Sequence, residues 1–309
     1  MPDPVREAST TLVCPICESR RKDDYVVIGY GTQPGGVQNF PVLRCRRHSV
    51  EFADALPFPQ SGGGSKEALD RCYGAPEEPN PRYVDFMNRV EAVVGRKPGR
   101  LLHDIGCGNG QLLFEARRRG WRVQGNDIVQ GVREGLEKAG IPCMIGSLSE
   151  LNLQPESCEV ATSFCVLPQH LTNPTPDMLA VARMLKPGGW FVLQLPDNGL
   201  FRRIGRLCSR LFWPGFPSRF AKLVMANLYG PGGHQFAYTR DNLKQYLRRC
   251  GFAEVIFKAY YPSSRYTLAR FHSGPVWLRA GAMIAVNVTR WASRILRLPN
   301  HVIAYAKKQ

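Results

Sequence analysis

The sequence predicts a doubly wound α/β fold, in which a seven-stranded and mostly parallel sheet follows a small cysteine-containing module at the amino terminus. Short apolar runs alternate with helical patterns between residues 100 and 197, an arrangement that produces parallel strands with helices on both faces. Two further apolar runs near the end bring the number of strands to seven. The predicted strands are 101–105, 121–128, 141–146, 159–164, 191–195, 253–260 and 301–306.

Residues 1–60 contain two short-range pairs of side chains that commonly bind metal. Cys14 and Cys17 form a C-x-x-C pair, and Cys45 and His48 form a C-x-x-H pair after 27 intervening residues. Thiolate and imidazole groups on two separate turns can close a tetrahedron around zinc, which predicts a structural, zinc-ribbon-like module. The alternative is two accidental pairs in turns, but a module of this size could hardly bury enough core without a metal.

Residues 61–98 connect this module to the domain predicted at 99–309. The proline-, glycine- and serine-rich stretch 57–65 is typical of a flexible linker, and residues 66–98 have a helical pattern. The helical lead-in is expected to pack on the core, with a lid over the ligand site as the alternative.

A turn with three glycines at alternate positions follows the first strand of the domain. Dinucleotide sites use the spacing G-x-G-x-x-G, whereas this turn has G-x-G-x-G and a carboxylate two residues before the first glycine. That carboxylate would repel a pyrophosphate, but it suits a cofactor that carries an ammonium and a sulfonium group, as S-adenosylmethionine does. The residues of this predicted cofactor site are Asp104, Gly106, Cys107, Gly108, Asn109 and Gly110.

The ends of the next two strands complete the predicted cofactor site. Asp127 closes the second strand, where a carboxylate can accept hydrogen bonds from both ribose hydroxyls, and Ile128 follows it. Ser147 and Leu148 follow the third strand and are expected near the adenine.

Residues 100–197 resemble the class I S-adenosylmethionine-dependent methyltransferases. The glycine turn resembles their first motif, and residues 166–171 are similar to their "V-L-E-H-L" element. The resemblance implies a sheet whose last strand is inserted antiparallel. With the paired-cysteine module and the Phe58-Pro59 segment, the chain resembles bacterial methyltransferases of cell-envelope glycan and sugar biosynthesis. Those proteins often have a fourth cysteine in place of His48, glutamate in place of Gln169 and aspartate in place of Ser147.

Two histidines are candidates for the catalytic base that an oxygen nucleophile needs near neutral pH. His170 follows the fourth strand, at the sheet edge where substrates of such folds lie, and His234 lies in a glycine-rich loop. Related enzymes often have a histidine at the second position. A role in packing or helix capping is the alternative for His170, and Asp197 is a further residue expected to shape the pocket.

The basic excess lies entirely in the last third of the chain. Residues 1–197 carry 22 Lys and Arg against 23 Asp and Glu, whereas residues 198–309 carry 19 against 2. Two predicted amphipathic insertions, at 198–229 and 274–298, place arginines opposite tryptophan and aliphatic residues. This pattern suits an anionic membrane surface, although such helices can also simply cover the sheet.

These observations predict a methyltransferase that acts on a sugar or lipid-linked anionic envelope precursor at the inner face of the membrane. A cytoplasmic location follows from the absence of a signal peptide or a transmembrane segment in the sequence. The main alternative is an RNA methyltransferase that holds phosphate with its basic third, but the arginines lack interleaved aromatic platforms. A non-enzymatic cofactor-binding module is the third and least favoured hypothesis.

Overall fold

A computed structural model describes residues 12–32, 39–53, 77–197, 235–261 and 301–309, together with single positions between 284 and 299. Several predictions lie outside these described residues. They are the linker at 57–65, the insertion at 198–229, the candidate base His234 and most of the insertion at 274–298.

The described elements alternate between strand and helix through the domain. The strands are β1 (Tyr25–Thr32), β2 (Asn39–Cys45), β3 (Glu51–Ala53), β4 (Leu101–Ile105), β5 (Arg122–Asp127), β6 (Cys143–Ile145), β7 (Cys158–Phe164), β8 (Leu185–Pro196), β9 (Phe236–Ala237), β10 (Phe252–Tyr260) and β11 (His301–Lys308). The helices are α1 (Pro81–Val94), α2 (Gln111–Arg118), α3 (Gly131–Lys138), α4 (Thr175–Met184) and α5 (Arg240–Arg249).

The central sheet has seven strands in the order β10-β11-β8-β7-β4-β5-β6. The strands from β8 to β6 are parallel, and β11 pairs antiparallel with both β8 and β10. The predicted seven-stranded, mostly parallel sheet is therefore confirmed, including the single antiparallel strand that the resemblance implied. The carboxyl ends of β4, β5, β6 and β7 lie along one edge, where a ligand site is expected.

Alternate residues of the strands contribute to two separate apolar clusters. Along β8, Phe191 and Leu193 belong to one cluster and Val192 belongs to the other. Successive side chains of a strand point to opposite faces, so the two clusters lie on the two faces of the sheet. The sheet is thus buried on both sides, as a doubly wound fold requires.

Two elements differ from the predicted bounds by more than two residues at one end, whereas the other strands agree within two residues. The strand predicted at 191–195 begins at Leu185, because Lys186–Gly189 form a bulge inside β8, the first three residues of which are exposed. The bulge lies where the register shifts between the pairs Cys158–Leu185 and Val160–Trp190. Within the described part of the lead-in, only α1 is helical; the Asn80 side chain accepts from Arg82 N at its start, and Gly95 at φ 77° ends it.

A second, four-stranded sheet contains the amino-terminal strands in the order β1-β2-β3-β9. Its first three strands come from residues 25–53, and all pairings in it are antiparallel. The fourth strand, β9, comes from residues 236–237 of the predicted domain. The amino-terminal sheet is therefore completed by a segment almost two hundred residues further along the chain.

None of the helices in the described ranges combines the length and the apolar character that crossing a bilayer requires. The few described positions of the 274–298 insertion are largely helical, and several large apolar side chains among them face solvent.

Candidate active site and metal cluster

The turn between β4 and α2 adopts a conformation that depends on glycine. Gly106, Gly108 and Gly110 have φ values of 70°, 53° and 85°, in the left-handed region that other residues rarely adopt. A Cβ at Gly106 would lie 2.6 Å from Val166, and one at Gly110 would lie 2.2 Å from Leu136. A Cβ at Gly108 would meet nothing within 4 Å, so the turn is open over this residue.

Four main-chain amides of this turn already donate hydrogen bonds within the protein. The amides of Gly106 and Cys107 donate to the carbonyl of Asn126 at 2.8 and 3.0 Å, and that of Gly110 donates to Cys107 at 2.9 Å. The amide of Gly108 donates to Oδ2 of Asp127 at 2.8 Å. A pyrophosphate site needs such amides directed at the ligand, so the arrangement does not fit a dinucleotide.

Two carboxylates flank the turn instead. Asp104 is 3% exposed at the end of β4, where its Oδ1 accepts a 2.7 Å hydrogen bond from the Thr162 hydroxyl. Burial and, to a smaller extent, the negative charge of Asp127 raise the pKa of Asp104 to about 7, against the opposing effect of the Thr162 hydrogen bond. The pair forms an acidic site that favours a cationic ligand, which fits the ammonium and sulfonium of S-adenosylmethionine.

The remaining predicted cofactor residues lie along the same edge of the sheet. Asp127 pairs with Ile145 of β6, and its carbonyl accepts from the amide of Gly146, which directly precedes Ser147. Ile128 is 44% exposed beside Asp127 and is available to a ligand. The ends of β4, β5 and β6 therefore bring together the three segments that carry the predicted site.

Besides Asp104 and Asp127, three of the predicted cofactor residues have buried side chains. Cys107 packs against Cys143, with their sulfur atoms 3.8 Å apart, and Leu148 is in the core. Asn109 is also buried. Contacts of Cys107 and Leu148 with a cofactor would therefore involve their main chains.

The candidate base His170 lies just beyond the end of β7, next to β4 in the sheet. The amides of Gln169 and His170 both donate to the Val166 carbonyl, at 3.0 and 3.2 Å, in a tight turn after the strand. His170 is partly exposed, whereas Gln169 is buried. The predicted pocket residue Asp197 forms an ion pair with Arg240 at 3.2 Å.

Cys14, Cys17, Cys45 and His48 come together in the amino-terminal sheet. Their ligand atoms all lie within 4.8 Å of one another, and three of the separations are 3.8–3.9 Å. Zinc bound to sulfur at about 2.3 Å in a tetrahedron separates neighbouring sulfurs by roughly 3.8 Å. Burial lowers the pKa of His48, with help from the charges of Arg47 and Arg249, so its imidazole is neutral as a metal ligand must be. The cluster therefore fits a tetrahedral zinc site.

Two contacts of the site were not predicted from the sequence. Thr162 reaches Asp104 because β4 and β7 pair in a register that places the two residues opposite each other. Gln235 and Phe236 both donate from their amides to the carbonyl of Gln169, at 2.7 and 3.2 Å. The first could have been proposed from the strand order, whereas the second joins segments that share no pattern.

Comparison with known proteins shows which family and which curated proteins the chain is similar to. A family model described as "Methyltransferase domain" matches residues 78–256. The ubiquinone biosynthesis O-methyltransferase of Hahella chejuensis is 32% identical over 120 residues, which are 36% of this chain and 48% of that protein. The enzyme of the same name from Dechloromonas aromatica is 28% identical over 202 residues, 55% of this chain and 84% of that protein.

The chain spans about half the length of the first of these curated relatives. Among solved structures, an S-adenosylmethionine-dependent methyltransferase from Mesorhizobium loti superposes with a TM-score of 0.50 at 20% identity. The superposition covers 78% of this chain and 100% of that one, and it shows a shared fold.

Proposed function

The chain belongs to the methyltransferase-domain family, and from this premise we propose that it transfers the methyl group of S-adenosylmethionine to an oxygen of a sugar or lipid-linked envelope precursor. The observation that carries the proposal is the glycine turn, in which four amides donate within the protein and which is flanked by the carboxylates of Asp104 and Asp127. This site attracts a cation and repels a pyrophosphate.

The residues of the turn and of the neighbouring strand ends would hold the cofactor. When bound, S-adenosylmethionine supplies a methyl group activated by the positive charge of its sulfonium. Asp104 provides negative charge for the ammonium end, and Asp127 accepts hydrogen bonds from the ribose hydroxyls. Gly108 lets the ligand approach the main chain closely, because no side chain occupies the space above it.

His170 is the residue that we propose removes the proton from the acceptor hydroxyl. It lies at the carboxyl edge of β7, beside the strand that carries the glycine turn. The curated relatives above are named O-methyltransferases, which supports oxygen as the acceptor atom. Positioning the hydroxyl in line with the methyl group and excluding water would provide most of the acceleration.

Exposed apolar side chains between residues 284 and 295 support a lipid-linked acceptor. Ile284, Val288, Trp291 and Ile295 follow one another at helical spacing and are 58–67% exposed. Arg294 and Arg297 lie beside them in a region with a net charge of +17. An apolar helix face with neighbouring arginines matches an anionic bilayer, in which apolar side chains enter the interface and guanidinium groups meet lipid phosphates.

Vesicle binding tests the membrane part of this proposal. The full-length protein should co-sediment with phosphatidylcholine vesicles that contain about 30% phosphatidylglycerol and less with phosphatidylcholine alone. The double variant Trp291→Ser/Ile295→Ser should weaken binding about tenfold or more. Leu179→Ser, which removes an apolar side chain that is 50% exposed on α4, is the matched control. Equal binding by both variants would contradict the membrane role.

Transfer of labelled methyl groups into fractionated cell material tests the acceptor class. The label is expected in the lipid and glycan fractions when the purified enzyme is incubated with cell extract and labelled cofactor. Label confined to RNA would overturn the envelope acceptor and favour the RNA alternative that the basic third of the chain also suits.

A further inference from the structure

Strand β9 connects the metal-cluster sheet to the candidate active site. On one side, the Gln235 carbonyl accepts from the Ala53 amide at 2.9 Å, and Phe52 pairs with Phe236. On the other side, the amides of Gln235 and Phe236 donate to the carbonyl of Gln169, next to the candidate base His170. A two-residue strand thus links β3 directly to the turn after β7.

The position of β3 depends on the metal-binding turn before it. Within that turn the Cys45 amide donates to the Val50 carbonyl and the Ser49 amide donates to the Cys45 carbonyl, both at 2.9 Å. The chain therefore folds back over the ligands Cys45 and His48. Strand β3 is three residues long and starts immediately afterwards. So short a strand has little stability of its own, and a metal that fixes the turn also fixes the strand.

A second contact ties the other metal-binding turn to the helix after β9. At the end of α5, the Arg249 guanidinium donates to the Ile16 carbonyl, between Cys14 and Cys17, and to the Glu18 carboxylate at 3.1 Å. The segment from β9 to α5 is therefore held by both halves of the cluster.

The residues held in this way border the space beside His170. A small cavity there is lined by Gln169, Asp197 and Tyr238 among others. The Gln169 side-chain carbonyl and the Tyr238 hydroxyl are buried, and neither has a hydrogen-bond partner within the part of the chain that the structure describes. Two buried polar groups therefore lie among the residues that line this cavity.

We propose that a metal ion held by Cys14, Cys17, Cys45 and His48 positions the acceptor side of the active site through β3 and β9. The acceptor side is the part of the site where the proposed function places the methyl acceptor, and the inference rests on the proposed function for that assignment. The predicted cofactor residues, by contrast, lie on or shortly after β4, β5 and β6 of the central sheet, whereas β9 belongs to the amino-terminal sheet. Loss of the metal should therefore disturb Gln169, His170 and Tyr238 and leave cofactor binding intact.

Hydrogen exchange with and without metal tests this inference directly, because the amides of Gln235 and Phe236 are the donors of the connecting hydrogen bonds. The zinc-loaded, full-length protein is compared with the protein after treatment with 1,10-phenanthroline and after zinc is restored. Protection at residues 235–236 and in the turn at 166–171 should fall about tenfold or more without metal and recover with zinc. Protection in β4 and β5, and the affinity for S-adenosylhomocysteine, should change less than about twofold.

Two variants separate the loss of zinc from the loss of the contact between β3 and β9. Cys45→Ser should lose zinc and reproduce the exchange pattern of the chelated protein, whereas Arg46→Ala, an exposed neighbour in the same turn, should behave like the wild type. Phe52→Ala should keep zinc but weaken protection at 235–236, because it removes the ring 5.7 Å from Phe236. Unchanged exchange at 235–236 without metal would overturn the inference, as would a uniform loss of protection that includes β4 and β5.

The outcome is independent of whether the proposed function is correct. If the zinc-loaded protein bound no S-adenosylhomocysteine, the proposed function would fail. The exchange comparison at 235–236 and 166–171 would still decide whether the metal positions these segments.

Discussion

The main-chain amide of Gly108 donates a 2.8 Å hydrogen bond to Oδ2 of Asp127, joining the glycine turn to the end of the neighbouring strand. The other carboxylate oxygen, Oδ1, accepts from the amide of Val129 at 2.9 Å. Both oxygens of Asp127 thus orient the loops on either side of the cofactor site, and each retains a lone pair for a ligand hydroxyl.

Replacing Asp127 with asparagine should weaken cofactor binding. The amide nitrogen of asparagine would face either the Gly108 or the Val129 amide, donor to donor, and the acceptor for the ribose would lose its charge. Charged hydrogen bonds contribute about 1.5–3 kcal/mol, so the affinity for S-adenosylhomocysteine should fall about 10- to 100-fold by calorimetry. Asp85→Asn on the surface of α1 is the control. An unchanged affinity for D127N would exclude Asp127 from the site.

Alanine at Gly108 should reduce cofactor affinity more than it reduces stability. The substitution places a methyl group in the open space over the turn, where the ligand is expected, at a strain of about 1–2 kcal/mol for the left-handed conformation. Gly140→Ala is the matched control, since Gly140 has φ 68° and also meets nothing within 4 Å. Similar losses of melting temperature are expected for both variants, with binding lost only for G108A. Equal cofactor affinity in the two variants would show that the space over Gly108 is not the ligand site.

Cofactor affinity should increase as the pH rises through about 7. The pKa of Asp104 is raised to about 7 in the ligand-free protein, mainly by burial, and a cationic ligand binds the deprotonated carboxylate. Below pH 7 the affinity should therefore fall by up to about tenfold per pH unit, measured with S-adenosylmethionine between pH 5.5 and 7.5. Asp104→Asn should bind more weakly and without this pH dependence. A steep pH dependence that persists in D104N would assign the titration to another group.

Replacing His170 with alanine should reduce turnover without changing cofactor affinity. A general base typically contributes about 100-fold or more, so methyl transfer into the lipid fraction should fall by at least that factor. Asn173→Ala, an exposed position in the same loop, is the control. His234→Ala is measured in parallel because it was the second candidate from the sequence. Full turnover in both histidine variants would exclude either one as the base.

The purified protein should contain about one zinc per chain by elemental analysis, because four ligands fill a tetrahedral site. Cys14→Ser should reduce the content to a small fraction. Cys250→Ala, which removes a buried cysteine at the end of α5 outside the cluster, should leave it unchanged. Zinc content that is the same in C14S as in the wild type would rule out this site.

The sequence predicted the features that depend on local patterns. The glycine turn, the carboxylates at the ends of the strands and the two cysteine-containing turns are each encoded within a few residues, and the strands are separated by clear helical patterns. The bulge at Lys186–Gly189 was missed because glycine and proline in a short segment indicate a turn equally well.

The features that depend on distant contacts could not be predicted. Strand β9 has two residues and acquires its conformation from pairing with Phe52, far away in the sequence, and from donating to Gln169. No periodicity in so short a segment indicates a strand. The connection between the metal cluster and the candidate base therefore became visible only in the structure.

Tyr260 at the end of β10 pairs with His301 at the start of β11, so the segment 261–300 connects two residues that are paired in the sheet. Changing the length of such a connection has little effect on stability, since each doubling of a loop raises the free energy of loop closure by only about 0.6 kcal/mol. The length of the connection can therefore change without moving the strands that carry the candidate site.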